Sequence, residues 1–138
     1  MQLRYNQRML ILTIRTDNPE AELGLYEDAR QLAYITWTAH RELSVTIHKK
    51  IDDLLAGQHK TLHDIQGIVC FKGPGSFTGL RIGLAVANSL AYALGTPIVA
   101  RTDPQWLETG INDLAAGQDD HFALPEYGGE VHTTAQKK

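Results

Sequence analysis

Gly73-Pro-Gly-Ser-Phe-Thr-Gly-Leu-Arg-Ile-Gly83 is a loop that runs into a helix. Glycines and a proline punctuate its start, a Ser and a Thr follow, and an apolar helical run takes over. Just upstream, Gly67-Ile-Val-Cys-Phe-Lys72 reads as a buried strand. A strand, a Gly-rich turn and a helix N-terminus bring backbone N–H groups to one place, where they can converge on an anion. Gly73, Gly75, Ser76, Thr78 and Arg81 are therefore the candidate phosphate-binding positions. The loop lacks the Gly-Lys-Ser/Thr ending that sets a lysine on β- and γ-phosphates. Its glycines also miss the G-x-G-x-x-G spacing of dinucleotide sites. Ser76 and Thr78 read as a helix cap and its neighbour rather than as nucleophiles. Arg81 reads either as a bidentate holder of a carboxylate or phosphate or as a solvated charge.

Working outward, Met9 to Ile14 is nearly all apolar, as expected of a strand covered on both faces. Asp17-Asn-Pro19 is a turn signal, Ala21 to Tyr26 alternates, Glu27-Asp28 turns the chain, and Gln31 to Thr38 is rich in strand formers. These predict three strands in an antiparallel meander. The period then changes. Leu43, Ile47, Ile51 and Leu55 recur every fourth residue and predict an amphipathic helix over about residues 40–56, ended by Gly57. A fourth strand is expected over Ile65–Phe71, a second helix over Phe77–Leu94 closed by Gly95, and a fifth strand over Pro97–Ala100. Thr102-Asp-Pro-Gln105 has the spacing of a capping box opening a third helix. The order β-β-β-α-β-α-β-α supports an α/β fold with a mixed five-stranded sheet and flanking helices. Residues 1–117 form the expected lobe, and residues 118–138, without a clear period, are expected to be a loosely held irregular tail with Phe122, Leu124 and Tyr127 as its apolar anchors and Glu126 and Glu130 solvated.

The chain has 138 residues, enough for one domain with a core, and a formal net charge of −3. There is no general basic field, which argues against autonomous binding of nucleic acid. The lone Cys70 lies inside an apolar run, pointing to a reducing compartment rather than a disulfide framework. No apolar stretch suits a membrane span and no signal-peptide core is evident, so the expected location is the cytoplasm.

The second helix carries small residues at Gly79, Gly83, Ala87 and Ala91, each four apart on one face, while Ile82, Val86, Leu90 and Leu94 make a second, apolar face. One face suffices to pack on a sheet. The small stripe then serves either close packing on the first helix or an intersubunit helix contact, with a homodimer as one outcome. His59 and His63 have H-x-x-x-H spacing but fall in a linker, with no acidic partner between them and no third ligand evident, and are not expected to bind metal. His40 and His48 read as surface or interface residues. No nucleophile–base pair and no suggestively spaced carboxylate pair appears, which favours a scaffold over an enzyme.

Gly73–Gly83 closely resembles the signature of the TsaB (YeaZ) family, bacterial proteins needed for the threonylcarbamoyl modification of the adenosine next to the tRNA anticodon, and the similarity runs from about Met9 to Thr102. The resemblance implies an actin/Hsp70-like (ribonuclease H-like) lobe and a non-catalytic role. It implies as partners a TsaD-like catalytic subunit and a TsaE-like ATPase, with tRNA reached only indirectly. It also implies a partner surface on the first two helices, which favours the interface reading of the stripe and marks His40, Leu43, Ile47, Gly79, Gly83, Ala87 and Ala91. Typical members continue into a second lobe, which is expected here to be missing or reduced to the tail. Many members read Asp-Thr where this chain reads Arg15-Thr16, and a cation there removes a metal-side anchor. Asp17, turned another way by the strand's alternation and the bend, is not expected to replace it. No cofactor is therefore expected beyond weak ATP and magnesium binding in the complex. A nucleotide-binding or phosphotransfer domain using the Gly-rich loop is the alternative; a metallopeptidase, suggested by the H-x-x-x-H metal site of TsaD relatives, is opposed by where these histidines lie.

Overall fold

The computed structural model describes residues 8–75 and 77–126, without the side chains of His40 and Phe77. Ser76, Tyr127, Glu130 and the rest of the tail lie outside the described residues. Eight main elements follow in order: β1 (Leu10–Arg15), β2 (Glu20–Glu27), β3 (Arg30–Thr38), α1 (Leu43–Ala56), β4 (Gly67–Phe71), α2 (Phe77–Leu94), β5 (Ile98–Arg101) and α3 (Trp106–Ala115). They form one five-stranded sheet in the order β3-β2-β1-β4-β5. β1, β2 and β3 are antiparallel neighbours, and β1–β4 and β4–β5 are parallel.

The hydrophobic pattern explains this order. β1 and β4 are buried almost throughout, as central strands covered on both faces must be. β3, at the edge, is only half-buried. α3 covers the face carrying Val69 and Phe71: Val69 leaves no room for a side chain at Gly110, and Trp106 meets Phe71 edge-on with ring centroids 5.9 Å apart. α1 and α2 take the opposite face, α1 over β2 and β3, α2 over β4 and β1. Leu12, Leu23, Ile47, Ile51, Ile68 and Leu80 are fully buried between them.

Two expected boundaries move. The first helix begins at Leu43, after a single 3₁₀ turn over His40–Glu42. The third begins at Trp106 with Gln105 as its N-cap and no side-chain cap bond, so Thr102 does not open it. Asp103, in the intervening loop, is instead bound to Arg15. A capping box does exist at Thr61-Leu-His-Asp64, where Asp64 accepts from the Thr61 N–H at 2.8 Å.

Candidate functional site

Parallel strands of an open α/β sheet present their C-terminal ends to one crevice, where such folds bind ligands. Here that crevice lies beyond Arg15, Phe71 and Arg101, the ends of β1, β4 and β5. Arg15 fills it. Its Nε donates to Asp17 Oδ1 at 2.8 Å and its Nη2 to Asp17 Oδ2 at 3.3 Å, while Nη1 and Nη2 donate to the two Asp103 oxygens at 3.1 and 3.0 Å. The guanidinium stacks 3.8 Å from the centre of the Phe71 ring and 5.9 Å from that of Trp106. Burial opposes its charge, but the hydrogen bonds and fields of Asp17 and Asp103 outweigh that and hold Arg15 protonated beyond its ordinary range.

Asp17 was expected to point elsewhere. The turn after β1 instead folds its carboxylate back onto Arg15, where it is 8% exposed. Residues two apart share a strand face, so alternation points Asp17 to Arg15's side and the turn does not carry it away. Across the sheet, Arg15 is in register with Glu22, which accepts a hydrogen bond from the Tyr34 hydroxyl. Burial first, and then Glu22, push the Tyr34 phenol above its ordinary value.

The Gly-rich loop leans on this cluster. A Cβ at Gly75 would lie 2.7 Å from Asp17 Cβ and 3.2 Å from its Oδ2. Gly73, at φ 113°, has the carbonyl oxygen of Glu126 where its Cβ would be. Two carboxylates against one guanidinium leave a net negative charge beside the loop, an unfavourable neighbour for a phosphate. Thr78 and Arg81 are exposed on the first turns of α2, and Arg81 is engaged rather than free.

The small stripe is where the structure departs most from expectation. Gly83, Ala87 and Ala91 are buried in the lobe and Gly79 is partly buried. Thr16 at the end of β1 is the reason: its carbonyl oxygen occupies the space of a side chain at Gly79, and its Oγ1 that of a side chain at Gly83. At Gly79 and Gly83 the stripe lets α2 close down on Thr16, with the Leu43 side chain of α1 also 4.0 Å from a Cβ at Gly79. Leu43 and Ile47, also expected at an interface, are 4% and 0% exposed and belong to the core. The outward side of the N-terminal ends of α1 and α2, with the 3₁₀ turn before α1, includes Arg41, Val45, Thr78 and part of Ile82, with Val45 76% exposed. Between these ends and Pro19 runs a cleft of about 390 Å³.

His59 lies in the turn after α1 at φ 60°, and His63 sits in the separate 3₁₀ turn over Leu62–Asp64, so the pair does not share a helix face. Among the described residues no helix is long and apolar enough to cross a membrane.

The tail is held more firmly than its composition suggested. Asn88 Nδ2 donates to the Ala123 carbonyl at 3.0 Å while the Ala123 N–H donates to Asn88 Oδ1 at 2.7 Å. The Glu126 N–H donates to the Lys72 carbonyl at 2.7 Å, and the Glu126 carboxylate stands 3.7 Å from Lys72 Nζ. The buried anchor is Ala123, 2% exposed; Phe122 and Leu124 on either side are 59% and 64% exposed. Residues 119–126 form neither helix nor strand, and backbone and carboxamide hydrogen bonds, not apolar burial, fix them.

A family model described as "TsaD: tRNA N6-adenosine threonylcarbamoyltransferase" matches residues 37–103, which include α1, β4, the Gly-rich loop and α2. The tRNA threonylcarbamoyladenosine biosynthesis protein TsaB of Bacillus subtilis is 38% identical over 93 residues, 67% of this chain and 40% of its own length. YeaZ from Pseudomonas aeruginosa superimposes with a TM-score of 0.64 at 28% identity, over 69% of this chain and 44% of that one. The chain belongs to the TsaB/YeaZ family. RuvC of T. thermophilus, with a TM-score of 0.51 at 14% identity over 90% of this chain and 85% of that one, shares the fold alone. The lobe therefore has the actin/Hsp70-like, ribonuclease H-like fold. It spans about half or less of the length of the TsaB relatives it matches. The Arg15–Asp17–Asp103 cluster was missed because Asp103 is remote in sequence; an Asp two residues after Arg15 was its visible half.

Proposed function

We propose that this chain is a non-catalytic partner in the tRNA threonylcarbamoyladenosine pathway of a bacterial cytoplasm, binding and stabilising a TsaD-type transferase. The observation that carries the reading is the similarity to TsaB and YeaZ proteins over about two thirds of the chain, beside a TsaD-family model that matches the stretch holding the Gly-rich loop and both long helices. The chemistry of the crevice supports it. The strand-end position is filled by Arg15, tied to two carboxylates and stacked on Phe71, which leaves no open carboxylate pair there among the described residues. ATP with magnesium is at best a weak ligand, held only in the assembled complex. The partner surface is the outward rim of α1 and α2, where Arg41, Thr78 and Ile82 line the cleft beside Pro19 and Val45 is exposed on α1. The pair recruits a TsaE-type ATPase, and tRNA is contacted indirectly. Depleting the chain in its own cells and measuring threonylcarbamoyladenosine in total tRNA by mass spectrometry tests this. A fall restored by the wild-type chain is expected. An unchanged level, in cells with no second TsaB, would remove the reading.

A further inference from the structure

β5 is the outer strand of the sheet, and its sequence Ile98-Val-Ala-Arg101 is apolar and β-branched at its start. Such an edge is a template for pairing with another chain. The Ile68 N–H reaches the Pro97 carbonyl and the Lys72 N–H the Arg101 carbonyl, so residues 97 and 101 face β4 and residues 98 and 100 face outward. Each of the four outward backbone groups is already satisfied. The Ile98 N–H donates to Asp119 Oδ1 at 3.1 Å, and the Ile98 carbonyl accepts from the Asp120 N–H at 2.8 Å. The Ala100 N–H donates to Asp120 Oδ2 at 2.9 Å, and the Ala100 carbonyl accepts from Arg101 Nη1 at 2.6 Å. The same Nη1 donates to Asp120 Oδ2 at 2.7 Å, while Arg101 Nε holds Asp113 at 2.8 Å. The Asn88–Ala123 and Glu126–Lys72 bonds then carry the segment over α2 to the end of β4.

We infer that residues 119–126 are an edge guard, in which Asp119 and Asp120 take the hydrogen-bonding places of a sixth strand and keep β5 from pairing with β5 of a second copy of this chain. A real strand would satisfy the same groups but expose a new edge beyond itself. Carboxylates end the ladder, because a charged acceptor offers nothing for the next strand to build on. A second copy is the fitting occupant of the unguarded edge, since it brings an identical short apolar strand with the same unmet groups, and two such edges satisfy each other symmetrically.

The test replaces both carboxylates, Asp119→Ala with Asp120→Ala, in the full chain. Amide exchange at Ile98 and Ala100 is expected to quicken about tenfold or more, and sedimentation velocity is expected to show a species larger than any formed by the wild type, growing with concentration. Exchange at both amides unchanged from wild type would overturn the guard, and exposed amides without new association would overturn its purpose. The single variant Asp119→Ala is the gentler form, for use if the double variant loses its fold by circular dichroism. It should quicken exchange at Ile98 while leaving Ala100 protected by Asp120, and equal protection of both amides would overturn the assignment.

Discussion

Thr16 Oγ1 donates a 2.7 Å hydrogen bond to the carbonyl of Gly79, and the same threonine occupies the space that a side chain at Gly83 would need. One residue at the end of β1 thus explains two glycines one turn apart in α2. The glycine half of the small stripe is the print of Thr16 on the helix.

Gly83→Ala should therefore destabilise the lobe itself. Overpacking against Thr16 costs about 1–3 kcal/mol, and alanine's better helix propensity returns up to about 1 kcal/mol. Adding Thr16→Ala should recover part of the loss, so the double-mutant cycle is non-additive. Equal loss in both backgrounds, measured by thermal or urea unfolding, would separate Gly83 from Thr16.

Arg15→Met should keep the packing on Phe71 and leave the carboxylate of Asp17, 8% exposed, beside Asp103 without its cation. The expected loss is about 2 kcal/mol, less than for a fully buried pair because the Asp103 side chain is 55% exposed. Arg15→Lys should recover only part, since an ammonium cannot serve both carboxylates with a planar fork. A denaturation midpoint unchanged in Arg15→Met would show the cluster to be without energetic consequence.

Much of this was legible in the sequence. The four-residue spacing of Leu43, Ile47, Ile51 and Leu55 and the change to strand-like runs give the element order, because burial dictates periodicity. The loop before Phe77 and the end of α2 at Gly95, φ 68°, follow from glycine's backbone freedom. What stayed hidden depended on contacts between distant residues. Nothing near Gly79 announces Thr16, 63 positions away; nothing near Arg15 announces Asp103, 88 positions away. The segment around Ala123 looked loose because its stability comes from hydrogen bonds to Asn88 and Lys72, which leave no apolar period to read.

Cys70 should be inert in the native protein. Burial drives its thiol up to about 12, with a further push from Asp120 opposed by Arg101 and Lys72. Thiolate is the reactive form, so labelling by a disulfide reagent at neutral pH should proceed only through unfolding. Rapid native-state labelling would contradict the buried position.

Acid should loosen the β5 edge. Burial raises the Asp120 carboxyl, but the Ala100 N–H, Arg101 and Lys72 outweigh it and hold the folded value below the ordinary one. A depressed carboxylate stabilises the fold above its unfolded value, about 3.9, and that contribution is lost as pH falls through the folded value. Protection of the Ala100 amide, corrected for intrinsic exchange, should therefore fall below about pH 4 and be flat from there to neutrality. A loss of protection centred near neutral pH would assign the edge to another group.

The central claim is that this lobe binds a TsaD-type transferase through the outward rim of α1 and α2. Isothermal titration of the full chain into the transferase of the same cell tests it most directly. The account predicts saturable binding that Val45→Asp and Ile82→Asp each weaken tenfold or more, with the fold of both variants intact by circular dichroism. No heat of binding, from a transferase that does bind a full-length TsaB, would contradict it.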